Sequence, residues 1–578
     1  MNNTYILGLN FLHSDTSAAI FKNGFLLAAA EEERFTRVKH TSEFPINSIN
    51  FCLKEAQIDI SNLDIITINS NPFFSLLKKI NYTFKNIKRL RLASRSIKNI
   101  KKKISLKKLI SKIDLDKKFK GKIKYIDHHE AHIASSLYFS PFNESLNVSV
   151  DGFGDFVSSA WGICSNNKLH IDGRIYFPHS MGIFYQAITQ FLGFKNYGDE
   201  YKVMGLSSFG KPTYERELSK LLFNTAKGFE LNLDYFIHQN ENIIENILNG
   251  QIQYKDLYSQ KLSELIGNDR KINEKINQRH MDIAKSAQKI YENTFFNFLN
   301  NLYEKYKIKN LTISGGCAMN SVANGKIIKN TNFENLYVSP NPGDAGGSVG
   351  SACVYINKNF KNSIEVKNYA YLGSKYDENY IKDFLNNNPI VKKYKAEYID
   401  DRELFKYVAL KLSESKIVGW FQGQTEWGAR ALGNRSILAD ARNPNIKDII
   451  NSKIKRRESF RPFAPSILYE KTKEWFEIEN EIPFMSEVHP IKKEKINMLP
   501  GITHVDGTGR LQTVKKENNL KYYNLIKSFY EITDVPIILN TSFNENEPIV
   551  NNPIEAVECF DRTEMDLLVI ENYLISRS

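Results

Sequence analysis

The chain has 578 residues, a formal net charge of +13 and 42% hydrophobic residues, enough length and apolar material for more than one buried core. The charge is concentrated: residues 78–124 hold 19 Lys and Arg against 2 Asp, a local +17, so the remainder carries −4 and the composition excludes a general nucleic-acid binder. The five cysteines are scattered and free of C-x-x-C spacing, which argues against a disulfide framework or a zinc knuckle, and Tyr5–Leu9 is too short an apolar run for a signal peptide. No uncharged stretch is long enough to span a bilayer, so a cytoplasmic location is expected.

Taken in order, Ile6–Leu9 predicts a strand, His13–Ile20 a second, Lys22-Asn23-Gly24 a turn, and Phe25–Ala30 a third strand running into a helix at Glu31–Arg34. The small-residue tip with Ser14, Asp15 and Thr16 resembles the opening of a phosphate loop in actin-like ATPase folds. Phe35–His40, with Arg37 and Lys39, is a basic loop that reaches toward phosphate or is simply a solvated turn. Residues 78–124 place Leu, Ile and Phe at roughly helical spacing between lysines, predicting one or two amphipathic basic helices. A solvated face is the ordinary reading of such a segment; an anionic partner or membrane surface is the other.

The next stretch organises the chain. If Ala131–Tyr138 is helical, His128 and His132 lie four residues apart on one helical face, the spacing at which two imidazoles hold one metal ion. Asp151 ends the apolar run Leu146–Val150, so its carboxylate emerges at a strand tip as a third ligand. Taken alone, the two histidines read equally as a polar helix cap. Residues 210–300 predict mostly polar helix. Leu311–Ser314 then reads as a strand, broken by Gly315-Gly316, with a helix continuing through Ala323, a turn that lets backbone approach an anion. Pro342–Gly350 repeats the device with Asp344 at its head, a candidate fourth ligand.

After about residue 370 the texture changes and a second domain begins. Its signature runs from Gly419 to Ser436 and from Lys453 to Pro465. There Arg430, Arg435, Lys455, Arg457 and Arg461 alternate with glycine, aromatics and proline, a pattern for a rigid anion pocket and not for an amphipathic helix. Asn540–Asn544 follows the apolar strand Val535–Leu539, and residues at a strand's C-terminal end commonly face a ligand.

Together these motifs resemble the O-carbamoyltransferases of the nodulation-protein and cephamycin carbamoyltransferase family, over Gly8–Pro45, His128–Asp155, Gly315–Gly350, Gly419–Pro465 and Asn540–Glu564. The resemblance implies an α/β protein of two fused domains. Residues 1–368 would form an actin-like ATPase domain similar to the tRNA threonylcarbamoyl transferase, and 369–578 a YrdC-like domain that forms carbamoyl-adenylate. It implies ATP-dependent transfer of the carbamoyl group of carbamoyl phosphate to a hydroxyl of a small molecule or sugar. By motif position, His128, His132, Asp151 and Asp344 would hold a divalent metal, with Fe2+ first and Mn2+ or Mg2+ open, and His13 and Lys39 would be catalytic. Gly152, Asp155, Gly315, Gly316, Asn320, Ser542 and Asn544 would contact nucleotide, and the five basic residues of the second domain would bind carbamoyl phosphate. The acceptor is unspecified, and a homodimer is left open.

The residues suit that chemistry. A small dianion needs fixed cations, and a hydroxyl, a poor nucleophile, needs a base or a metal that lowers its pKa. Carbamoylation or threonylcarbamoylation of RNA, suggested by the basic segment, lacks charge elsewhere and lacks evident aromatic stacking platforms. A non-catalytic scaffold would not need every His, Asp, Arg and Lys of the motifs.

Overall fold

The structure, a computed structural model, describes residues 3–11, 13–84, 118–240, 243–360 and 364–577. Of the basic helices expected over 78–124, residues 85–117 lie outside the described residues. The chain divides into two compact units, Met1–Asn320 with Ile327–Lys367 and Ser321–Lys326 with Asn368–Ser578. Among the described residues no helix is long and apolar enough to cross a membrane.

The first unit is built on two sheets of the same plan. In one, β1 (Tyr5–Asn10), β2 (Ser17–Lys22) and β3 (Phe25–Glu31) form an antiparallel meander, and β4 (Ile65–Ile68) and β5 (Lys122–Tyr125) add in parallel beside β1. In the other, β6 (Glu144–Gly154), β7 (Val157–Ser165) and β8 (Lys168–Tyr176) form the meander, and strands Asn310–Ser314 and Asn335–Val338 add in parallel beside β6. This duplicated meander with two parallel strands is the arrangement of an actin-like ATPase domain. β1 is buried on both faces, and burying a leucine such as Leu7 or Leu9 contributes roughly 2 kcal/mol each.

Short helices α1 (Glu33–Thr36) and α2 (Ile46–Glu55) follow the first meander, and α3 (Leu76–Phe84) follows β4. The helix His128–Leu137 starts under an Asp127 side chain that accepts the Glu130 N–H at 2.7 Å. Helix Gly347–Asn359 packs both on β1 and on the His128–Leu137 helix, at glycine-sized gaps: a Cβ on Gly8 would lie 1.9 Å from the Ser348 carbonyl oxygen, and one on Gly350 would lie 1.8 Å from that of Ala131. That close approach brings the Asp344 end of the segment to the histidines.

Two of the sequence expectations change. Residues 210–300 hold the 29-residue helix Gln278–Tyr306 but also two hairpins, Leu222–Thr225 with Gly228–Leu231 and Ile244–Leu248 with Gln251–Tyr254. Buried Phe229 and Leu231 alternate with Glu230, a two-residue period too short to stand out from the polar background. After Gly315 the chain makes a 3₁₀ turn, Gly316–Met319, and then a separate one-turn helix, Ser321–Asn324, instead of one continuing helix.

The second unit is an α/β body around a nine-stranded mixed sheet. Its central strands are Val418–Phe421, Arg435–Ala439, Ile537–Ser542 and Ala464–Leu468, and Thr508–Val514 pairs in parallel beside the last. Helices Asp401–Ser413 and Leu520–Thr533 pack together and cover it. This is the mixed α/β sheet expected of the YrdC-like half.

Candidate active site

In the first unit four donors converge. The Nε2 atoms of His128 and His132 lie 3.0 Å apart, and His128 Nε2 lies 3.2 Å from Asp151 and 3.5 Å from Asp344. His132 Nε2 lies 3.6 Å from Asp151 and 3.3 Å from Asp344. Donors each about 2.1 Å from a common ion stand about 3.0–3.5 Å from one another, so these separations are close to those of a ligand shell. Both histidines are completely buried. Among the described residues nothing bonds their Nδ1 atoms, while both Nε2 atoms face the two carboxylates.

Charge confirms how tightly the four are coupled. Burial alone would raise the Asp151 pKa, but hydrogen bonds from His128 and His132 hold it well below the usual carboxylate range. Burial disfavours the charged form of His132, yet its bonds to Asp151 and Asp344 raise it to about 9. Burial, and then the Asp151 charge, push Asp344 up. A divalent cation would neutralise the paired carboxylates and leave both imidazoles neutral.

Backbone shape sets the cluster. β6 breaks register with β7 between Val150 and Gly154, and this bulge carries Asp151 out of the ladder. Gly154 lies against the His128 ring, where a Cβ would be 1.9 Å from Cδ2. Gly316 donates its N–H to Asp151 at 3.0 Å, with room for only 2.8 Å between a Cβ and that carboxylate. Beside the two carboxylates the space is open: a Cβ on Gly152 or Gly343 would meet nothing within 4 Å.

The other first-unit candidates take varied positions. The His13 ring stands 5.2 Å from the His128 ring, next to the cluster. Lys39 lies in the loop after α1, where its carbonyl accepts from Gln251 at 2.8 Å. Asp155 accepts from Ser70 Oγ (2.7 Å), Asn71 N–H (2.7 Å) and His128 N–H (3.1 Å), so its carboxylate braces the histidine helix against the β4 loop. Gly315 takes φ 85° with the Val150 carbonyl 2.3 Å from where a Cβ would be. Asn320 forms a reciprocal amide pair with Gln288, 3.1 Å each way.

In the second unit the structure sorts the five basic residues. Lys455 is buried and points its ammonium at the Ser542–Asn544 turn, 2.9 Å from the Asn544 carbonyl and 2.6 Å from its side-chain oxygen. Arg457 donates to Asn451 Oδ1 at 2.7 Å and lies over the Phe463 ring. Arg461 pairs with Glu458 at 2.8 Å. Arg435 is set apart: it is completely buried, its guanidinium bonds the carbonyls of Gln422, Asn434, Ser374 and Gly423, and it stacks 3.6 Å from the Phe421 centroid. Arg435 therefore pins the loop that carries Arg430. The buried Glu426 carboxylate completes the pin, accepting the N–H groups of Leu432 (2.8 Å), Asn434 (2.8 Å) and Arg435 (3.0 Å).

Sequence reasoning missed Arg510, on strand Thr508–Val514. Burial, and then the nearby charges of Arg430 and Arg457, hold its pKa well below the usual value, and among the described residues its buried Nε has no hydrogen-bond partner. Three guanidiniums near one another are the kind of group that suits a dianion. The only cue in the sequence was Gly507-Thr508-Gly509-Arg510, a turn followed by a cation, which is too common to single out. It placed Asp15 at the hairpin tip and His40 at the end of the basic loop but missed that the two pair with each other at 2.7 Å.

Fold and sites thus define an enzyme with an actin-like first unit that carries a metal-type cluster and an α/β second unit in which Arg430 and Arg457 lie near Arg510. The chain matches the family model described as carbamoyltransferase N-terminus over residues 5–353 and the one described as carbamoyltransferase C-terminus over residues 409–577. The chain belongs to the carbamoyltransferase family. Nodulation protein NolNO of Sinorhizobium fredii is 33% identical over 100% of this chain and 80% of its own length. Nodulation protein NolO of Bradyrhizobium diazoefficiens is 34% identical over 78% of this chain and 79% of its own. An uncharacterized protein of Synechocystis is 36% identical over 100% of this chain and 97% of its own. Among solved structures, HypF of T. kodakarensis aligns with 63% of this chain and 49% of its own at 13% identity and a TM-score of 0.31, a likeness that carries no argument.

Proposed function

We propose that this carbamoyltransferase moves the carbamoyl group of carbamoyl phosphate, with ATP and through carbamoyl-adenylate, to a hydroxyl of a small-molecule or sugar acceptor in the cytoplasm. The observation that carries the reading is the presence of two charged sites of opposite character, one in each unit. The Arg430, Arg457 and Arg510 cluster suits a phosphate dianion. The His128, His132, Asp151 and Asp344 cluster suits a divalent metal, which when bound would lower the pKa of a hydroxyl or polarise a carbonyl.

Carbamoyl phosphate is already activated, so an ATP requirement is sensible only if the carbamoyl group changes its leaving group. In the second unit the arginines bind and orient carbamoyl phosphate, water cleaves it to carbamate and phosphate, and a carbamate oxygen attacks the α-phosphorus of ATP as pyrophosphate leaves, while Lys455 holds the Ser542–Asn544 turn in place for the nucleotide. In the first unit His13, beside the His128 ring, takes the proton from the acceptor oxygen as that oxygen bonds the carbamoyl carbon and AMP leaves with the bonding pair. Gly152 and Gly343 leave the space this reaction needs.

The test is the product balance with carbamoyl phosphate, ATP and a candidate acceptor. AMP, pyrophosphate and phosphate formed in step with a product heavier by one carbamoyl group is the expected result. Release of ADP in place of AMP and pyrophosphate would show a kinase-type ATPase and overturn the two-site mechanism.

A further inference from the structure

Helix α3 leaves an apolar ridge in water. Its Tyr82 faces the protein, meeting Phe156 and Phe177 edge-on at 5.8 and 5.2 Å, and Lys79 is half-buried within reach of the Asp155 charge, while Lys78 is exposed with its Nζ 3.4 Å over the Tyr176 ring. Leu76 is 42%, Leu77 82% and Ile80 43% exposed, and Phe73 just before the helix is 56% exposed. Single exposed leucines are ordinary, but three large apolar side chains exposed on one helix, with a fourth just before it, mark a contact surface.

The second observation is charge. β5 is the edge strand of its sheet and carries exposed Lys122 and Lys124, and exposed Lys118 and Lys120 precede it at the same two-residue spacing. Arg174 links this strand to the segment just before α3: it lies 4.9 Å over the Phe74 ring and 3.7 Å from Asp127, two residues beyond β5.

We propose that the α3 ridge and the lysine edge of β5 dock on an anionic bilayer surface, the ridge entering the boundary between headgroups and acyl chains and the lysines meeting lipid phosphates. One surface then satisfies both halves of the pattern. A nucleic acid would leave the leucines without a partner, and a second copy of the chain would set one positive face against another. This surface is separate from the metal-type cluster and independent of the adenylate mechanism.

The experiment is sedimentation of the full chain with vesicles of phosphatidylcholine alone and with phosphatidylglycerol added. Binding to the anionic vesicles only, weakened by salt and reduced about tenfold in Leu77→Asp with Ile80→Asp, is the expected result. Lys120→Glu with Lys124→Glu supplies a second variant, which should weaken binding in the same assay. No binding of the wild type to the anionic vesicles overturns the proposal, as does binding that the Leu77/Ile80 variant leaves unchanged. So does light scattering that shows a wild-type dimer converted to a monomer by that variant, which would assign the ridge to a second copy. Unaltered thermal midpoint and carbamoyl-phosphate-dependent ATP consumption show that the variants are folded.

Discussion

His40 Nδ1 lies 2.7 Å from the Asp15 carboxylate, and the His40 N–H donates to Glu33 at 3.0 Å, tying the loop after α1 to the hairpin tip that also carries His13. Both residues hold left-handed backbone, φ 59° at Asp15 and 52° at His40, a conformation that the surrounding contacts must enforce. Burial disfavours the charged imidazole, but the Asp15 charge and hydrogen bond outweigh it, with Glu33 adding, and raise its pKa to about 9.

A pH dependence follows from that pair. Because the folded value lies above the ordinary 6.5, the stabilisation is fully present below about pH 6.5, shrinks above it and is gone once pH has passed about 9. Asp15→Asn should return the imidazole toward its ordinary value, read from NMR titration of the ring protons. Chemical denaturation of both proteins across that window should show the wild type's advantage fading with rising pH. An advantage equal at pH 6 and pH 10 would contradict the pairing.

Metal should stabilise the first unit. At a free concentration a hundred times its dissociation constant, Fe2+ or Mn2+ should add about 3 kcal/mol to the wild type, seen as a higher thermal midpoint that a chelator reverses. His132→Ala should keep its fold but lose both the bound metal and the shift. Full metal content in that variant would remove His132 from the ligand set.

Gly154 offers a test that changes no ligand. Alanine there would put its Cβ 1.9 Å from His128 Cδ2, so the ring must move. Gly154→Ala should lower metal affinity by at least about tenfold, by comparison with losses seen when groups that orient a ligand are altered. Titration calorimetry with Mn2+ reads the outcome, and unchanged affinity would show that His128 is not held against Gly154.

The arginines of the second unit should separate into two kinds. Arg457→Ala and Arg510→Ala should abolish carbamoyl-adenylate formation yet leave transfer from carbamoyl-adenylate supplied ready-made, with little change in stability. Arg435→Met should leave four buried carbonyls without their donor and destabilise the protein by more than about 3 kcal/mol in denaturant. An Arg510→Ala variant that forms adenylate at the wild-type rate would exclude Arg510 from the anion pocket.

What the sequence by itself determined is what short-range geometry dictates. Four residues are just over one helical turn, so His128 and His132 share a face once the helix forms, whereas Asp151, expected at a strand tip, sits at a bulge inside β6, which runs on to Gly154. The strand–turn–strand order of β1 to β3 was legible for the same reason. Only the tertiary structure decided which distant groups meet. Asp344 reaches the histidines because glycines at 8 and 350 let one helix seat against β1 and the histidine helix, a steric fit with no local period. Arg430, Arg435, Arg457 and Arg510 carry the same charged group, and burial separates them: Arg435 meets carbonyls, while Arg510 meets other arginines. The exposed apolar ridge of α3 was equally hidden, because a helix's composition says that it has an apolar side and its neighbours decide which way that side points.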